Sequence, residues 1–188
     1  MMNLNLNFDD FLNLSKEDFK NTHLIVLTGV SGSGKSTAMR YLVEQHPDFA
    51  GRHHQWLIGH PIKWQWRYEP EWLLADEAIH ICDLVHLRRL QRCGHRLIIA
   101  SHLSERLVRA VMSNEGARYF STDTDQAKLR RFLEYRGIQS SQETLARYCG
   151  RYGANYTDLK IMLAHTKGVD FDHIFQDFEC CCRIQYAG

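Results

Sequence analysis

Leu24-Ile25-Val26-Leu27-Thr28-Gly29-Val30-Ser31-Gly32-Ser33-Gly34-Lys35-Ser36-Thr37 is the stretch from which the fold can be read. Its first five residues are apolar or β-branched, enough for one buried strand. The next eight spell G-x-x-x-x-G-K-S. From Thr37 to about Gln45, Met39, Leu42 and Val43 recur at helical spacing. Strand, glycine-rich turn and helix form the context in which this pattern cradles a polyphosphate. Gly29, Gly32 and Gly34 allow backbone conformations that a Cβ obstructs, so the N–H groups of the loop from Gly29 through Val30, Ser31, Ser33 and on to Thr37 can turn toward phosphate oxygens. The helix N-terminus adds partial positive charge. Lys35 is expected to reach the β- and γ-phosphates, and the Ser36 hydroxyl to be a ligand of Mg²⁺. The expected ligands are therefore ATP and Mg²⁺.

A second apolar run, Trp72-Leu73-Leu74-Ala75, ends in the adjacent carboxylates Asp76 and Glu77, about 40 residues beyond Lys35. Asp76 is expected to hold Mg²⁺ through water, with Ser36 as the other protein group on the ion, and Glu77 to act as general base on an attacking water. Simple acidic punctuation of a strand is the plainer reading of the same residues. A third run, Leu97-Ile98-Ile99-Ala100, ends in Ser101-His102. A polar side chain at that tip is placed to orient the water, with Ser101 the first candidate and His102 the second; the plainer reading is a strand cap.

Working outward, residues 1–22 form a polar, Asn-rich lead, read as a peripheral segment in which Ser15-Lys16-Glu17-Asp18 opens a helical turn. Residues 23–122 alternate strand patterns (24–28, about 55–58, 72–75, 97–100, 118–121) with helix patterns (36–46, 79–93, 103–112). Strands that are apolar without alternation, separated by helices, predict an α/β core with a five-stranded parallel sheet covered on both faces. After Thr122 strand signals cease. Helix patterns at about 124–136, 141–150, 156–166 and 170–179, broken at Gly137, Gly153 and Gly168, define a helical subdomain over 123–188.

The loop Gly29 to Ser36, the strand Leu73 to Glu77 and the strand Leu97 to Ser101 resemble the Walker A, Walker B and sensor 1 elements of P-loop ATPases. The resemblance is to the division with a catalytic glutamate and an additional strand between the two Walker strands. Leu145-Ala146-Arg147-Tyr148 and Tyr152-Gly153-Ala154-Asn155-Tyr156-Thr157-Asp158-Leu159 are similar to the lid of AAA+ ATPases. The resemblance covers about residues 24–166. It implies a three-layer P-loop NTPase fold with a C-terminal helical lid, ATP hydrolysis, and catalytic roles for Lys35, Glu77 and Ser101. It also implies a lid arginine near Thr157, where this sequence has none; Arg147 and Arg151 are the nearest substitutes. Arg109 and Arg118 are the nearest counterparts of an arginine finger, and solvated surface arginines are the plainer reading of both. No L-S-G-G-Q sequence occurs.

Composition bounds the rest. The 188 residues are 44% hydrophobic and 24% charged, globular values, with a net charge of +1 that offers no general field for nucleic acid or anionic membrane. No apolar run approaches a membrane span, and a signal-peptide pattern is absent, so a cytoplasmic protein is expected. The 6 cysteines include the run Cys180-Cys181-Cys182, which suits reduced thiols on a terminal helix. All 4 tryptophans, Trp56, Trp64, Trp66 and Trp72, lie within one segment mixed with His and Arg. They suit core packing, a protein-binding surface or, less well given the charge, a single-stranded nucleic-acid platform. Cys82 and His86, four apart on one helix, have the spacing of metal ligands without a second pair to complete a zinc site. The expected function is Mg²⁺-dependent ATP hydrolysis coupled to motion of a protein partner or a homo-oligomeric assembly. A small-molecule or nucleotide kinase and a non-hydrolysing ATP-binding module are the alternatives.

Overall fold

A parallel sheet in the order β2-β3-β4-β1-β5 organises the first half of the chain. The structure is a computed structural model, and it describes residues 12–57, 61–63, 71–123, 125–165 and 170–185. The strands are β1 (Leu24–Thr28), β2 (His54–Leu57), β3 (Trp72–Ala78), β4 (Arg96–Ser101) and β5 (Ala117–Ser121). Between them run α1 (Lys35–Gln45), α2 (Ile81–Arg92) and α3 (Glu105–Val111). The middle strands are apolar on both sides because both sides are covered. Leu24, Val26, Leu73, Ala75, Leu97 and Ile99 face a core with Leu84, Leu87 and Leu90 of α2 and Val108 of α3. Their alternates Ile25, Leu27, Trp72, Leu74, Ile98 and Ala100 face a second core with Ala38, Met39, Leu42 and Val43 of α1. The sheet with helices on both faces follows directly from this two-sided pattern.

The lead expected at the periphery contributes Leu14 and Phe19 to the α1-side core. Its helical turn is a 3₁₀ turn over Leu14–Lys16, which starts after Asn13 and carries no side-chain cap. Leu14 and Phe19 are large enough to fill space beside α1, which the polar composition around them obscures.

The chain divides into two compact units, one of residues up to Val30 with Gly34–Thr122, the other of Ser31–Ser33 with the residues from Asp123 onward. The helices of the second are α4 (Gln126–Tyr135), α5 (Gln142–Tyr152), α6 (Tyr156–His165) and α7 (Phe171–Gln185). Asp125 and Ser141 cap α4 and α5, accepting from Lys128 N–H at 2.8 Å and Thr144 N–H at 3.1 Å. Gly153 ends α5 with φ +70°, where a Cβ is disfavoured. The core of this unit is Leu129, Leu133, Leu145, Tyr148, Leu159, Met162, Phe171 and Phe175 among others.

Candidate functional site

Topology brings the sequence-predicted residues to one edge of the sheet. Helix α1, leaving β1, packs on one face, while α2 and α3 pack on the other. The connections thus diverge between β1 and β4, and open α/β sheets bind ligands outside the carboxyl ends of their strands at such a divergence. Thr28, Ser101 and Ala78 lie level at that edge, Ser101 being in register with both of the others. The glycine-rich loop follows Thr28, His102 follows Ser101, and Asp76 and Glu77 precede Ala78.

Lys35 is buried and its Nζ donates to the carbonyls of Gly29 at 2.8 Å and Val30 at 2.7 Å. Gly34, at φ +94°, makes the turn into α1. Ser36, in the first turn of α1, donates its hydroxyl to Asp76 Oδ1 at 2.9 Å. One hydroxyl and one carboxylate, half-buried and adjoining a glycine-rich loop, fit Mg²⁺. That ion takes one or two protein oxygens and completes its shell with phosphate and water. Among the described residues there is no cluster of three or more His, Cys, Asp or Glu suited to a metal.

Glu77 is exposed and stands at φ +58°. The cause is visible in the ladder. Ala75 pairs with Ile99 and Ala78 with Ser101, so three steps on β3 match two on β4. This is a β-bulge, which breaks the strict alternation of side chains and re-aims Asp76 and Glu77 at the strand tip. A non-glycine residue held in the left-handed region costs about 1–3 kcal/mol and is concentrated at functional sites.

Ser101 is fully buried; its hydroxyl donates to Ala78 O at 2.6 Å and accepts from Leu103 N–H at 3.1 Å. It therefore ties the tip of β4 to the residue after Glu77. His102 is the exposed member of the pair. Burial of part of its ring and the charge of Lys35 lower its pKa, while Glu77 and Asp76 oppose that shift, so three candidate site groups act on this ring.

Arg109, Arg147 and Arg151 are each paired with a carboxylate. Arg109 pairs with Glu105 at 2.7 Å and lies 3.6 Å over the ring of Tyr119. Arg118 is exposed and pairs in register with Ile25, toward the opposite edge of the sheet from the loop. Within the helical unit Arg147 and Arg151, one turn apart on α5, both bind the Glu179 carboxylate of α7, at 2.9 and 2.7 Å.

Trp72 is buried at the start of β3, and Trp56 packs partly against the same core. Trp64 and Trp66 lie outside the described residues. Cys82 is exposed while His86 is buried, so the two face different surroundings. Cys180 is an exposed free thiol on α7.

Sequence reading missed Asp83, which is buried at the start of α2 and accepts from Ile62 N–H at 2.8 Å and His80 N–H at 3.1 Å. Its carboxylate anchors the helix that follows Glu77. The His80-x-x-Asp83 spacing was the available signal, since an acid three residues into a helix bonds back to the cap. Compared with known proteins, the chain matches no family model and no curated protein. Among the described residues no helix is long and apolar enough to cross a membrane.

Proposed function

We propose that the chain is a Mg²⁺-dependent ATPase whose site is the loop Gly29–Thr37 together with the tips of β3 and β4. The observation that carries this reading is the 2.9 Å bond between Ser36 and Asp76. It joins the residue after the loop lysine to an acid 40 positions away, the pairing that shared coordination of one cation requires. The residues of this chain divide the work. Lys35 and the loop amides bind phosphate oxygens, and Ser36 and Asp76 would hold Mg²⁺. When bound, the ion neutralises charge on the β- and γ-phosphates. Glu77 takes the proton of the attacking water, and the bulge fixes where its carboxylate stands. Ser101, bonded to Ala78, is a positioning residue for that tip. In this reading turnover is coupled to motion of a protein partner or to assembly of several copies.

The test separates hydrolase from phosphotransferase. Glu77→Gln keeps the shape of the side chain and loses the base, so ATP binding should persist while phosphate release falls roughly 10²–10⁴-fold. Release of phosphate and phosphorylation of added sugars and nucleotides are measured together for both proteins. Acceptor-dependent turnover that survives the substitution favours the kinase, and binding without turnover in the unaltered protein favours the non-hydrolysing module. Either outcome defeats the proposal.

A further inference from the structure

Among the described residues five large hydrophobics are exposed, and three of them, Ile79, Ile81 and Val85, gather at the start of α2. The inner face of this helix is already used, since Leu84, Leu87 and Leu90 are buried in the core beneath it. On the outer side Ile81, Val85, Arg88 and Arg92 follow one another at intervals of 4, 3 and 4 residues. At about 100° per residue they fall on one line along the helix, the spacing by which one helix packs along another. Local preference does not account for the two aliphatics. A β-branched residue is a poorer helix former than alanine or lysine, and an exposed position gives it no packing in return. Single surface hydrophobics are ordinary, but these adjoin one another and form a patch.

The arginines continue the line toward the end of the helix. Arg92 is exposed and Arg88 half-buried. The next arginine, Arg96, has Glu71 at 2.9 Å, whereas neither Arg88 nor Arg92 pairs with a carboxylate among the described residues. Arg92, in the last turn, complements the C-terminal pole of its own helix. That explains a charge at one end and leaves the aliphatic end unexplained.

A line that is aliphatic at one end and cationic at the other selects the chemistry of its partner. A phosphate backbone would satisfy the arginines and leave Ile81 and Val85 uncovered, so nucleic acid fits half of it. A helix carrying aliphatic and acidic residues at the same spacing fits all of it. Direction follows too. Carboxylates are stabilised in the first turn of a helix, and the arginines lie toward the end of α2, so acidic first turns meet them when the two helices run antiparallel. We propose that the outer face of α2, from Ile81 to Arg92, docks such an amphipathic helix of a partner protein, acidic in its first half and antiparallel to α2. The face begins four residues after Glu77. This names the chemistry of the protein partner in the reading above, and the docking itself requires no bound nucleotide.

The experiment is fluorescence anisotropy of a labelled, N-acetylated peptide titrated with the full chain in the absence of nucleotide. The peptide has about 18 residues, enough to span α2. It carries Glu at the 4-3 spacing in its first half, Leu at that spacing in its second, and Ala and Gln elsewhere. It should bind, less tightly as salt rises, and more tightly than the same peptide with its halves exchanged. Arg88→Glu with Arg92→Glu should weaken binding roughly two- to thirtyfold, and a peptide with Lys in place of Glu should recover affinity for that variant. Ile81→Ser with Val85→Ser should weaken it about tenfold. Melting temperatures are recorded alongside; these side chains lie outside the core, so the variants should fold as the parent does. Absence of binding, equal affinity for the two peptide orders, or affinities unmoved by the substitutions would each overturn the proposal. An oligonucleotide that binds through Arg88 and Arg92 and is indifferent to the Ser substitutions would replace it with a nucleic-acid face. Self-association of the chain that the Ser substitutions abolish would seat a second copy there instead. A chain that binds the peptide and no ATP keeps this inference and loses the nucleotide reading, and the reverse result does the opposite.

Discussion

Glu77 combines an exposed carboxylate with a backbone conformation that disfavours it. Were the strand tip under no functional demand, glycine would serve better there. This yields a prediction that separates backbone from side chain. In Glu77→Ala the carboxylate is lost and φ stays positive, whereas in Glu77→Gly the strain is also relieved. Denaturant unfolding should find the Gly variant more stable than the Ala variant by about 1 kcal/mol, because alanine is penalised wherever φ is positive. Both should lose ATP turnover. An Ala variant as stable as the Gly variant would mean that the carboxylate, and not the bulge, sets φ at this position. The same scale explains one limit of sequence reading. Asp76-Glu77 was legible as an acidic strand tip, but the extra residue that re-aims it is a property of the β3–β4 register and leaves no mark in the string. The direction of Ser101 was hidden for the same reason: its hydroxyl is spent on Ala78 O, a partner 23 residues away.

Helix α2 carries its own test. His86 is buried on it, and burial lowers the imidazole pKa from 6.5, helped by the Arg89 charge and opposed by Asp83. Well above pH 6.5 neither the folded nor the unfolded state holds the extra proton. As the pH falls below that value the unfolded chain takes up a proton before the folded one, so stability declines with acidity. His86→Leu removes the group, and its unfolding free energy should fall less steeply between pH 7 and pH 5 than that of the parent. Equal slopes would show that other groups account for the acid sensitivity. At the level of elements the sequence was most legible where packing is two-sided. β1 was read at its observed limits, since an unalternating apolar run has one stable use here. α5 and α7 were located too, but the sharing of Glu179 by Arg147 and Arg151 was not, because it links positions 32 and 28 apart. The i, i+4 spacing of the two arginines hinted that one acid would serve both. The cap of α6 was legible in principle: Asn155 and Asp158 have the spacing of a capping pair.

For the molecule as a whole, the order β2-β3-β4-β1-β5 decides what can meet. With β4 between β1 and β3, the loop after Thr28, the pair Ser101-His102 and the acids before Ala78 share one edge, although they are far apart in the chain. That order is not written in any single stretch of sequence; given it, the right-handed crossover rule places α1 on one face and α2 and α3 on the other, as the two cores show. Lys35 is where this arrangement is most directly put to the test. Its ammonium bridges the carbonyls of Gly29 and Val30, so Lys35→Ala should lower stability by about 1–3 kcal/mol while the chain still folds. Calorimetry with ATP and Mg²⁺ on the folded variant and its parent is the measurement that matters most. The parent should bind one ATP per chain, with affinity that weakens when Mg²⁺ is withheld, and Lys35→Ala should give no detectable binding. A variant that binds ATP as tightly as the parent, or a parent that binds none, would contradict the assignment of this edge as a nucleotide site.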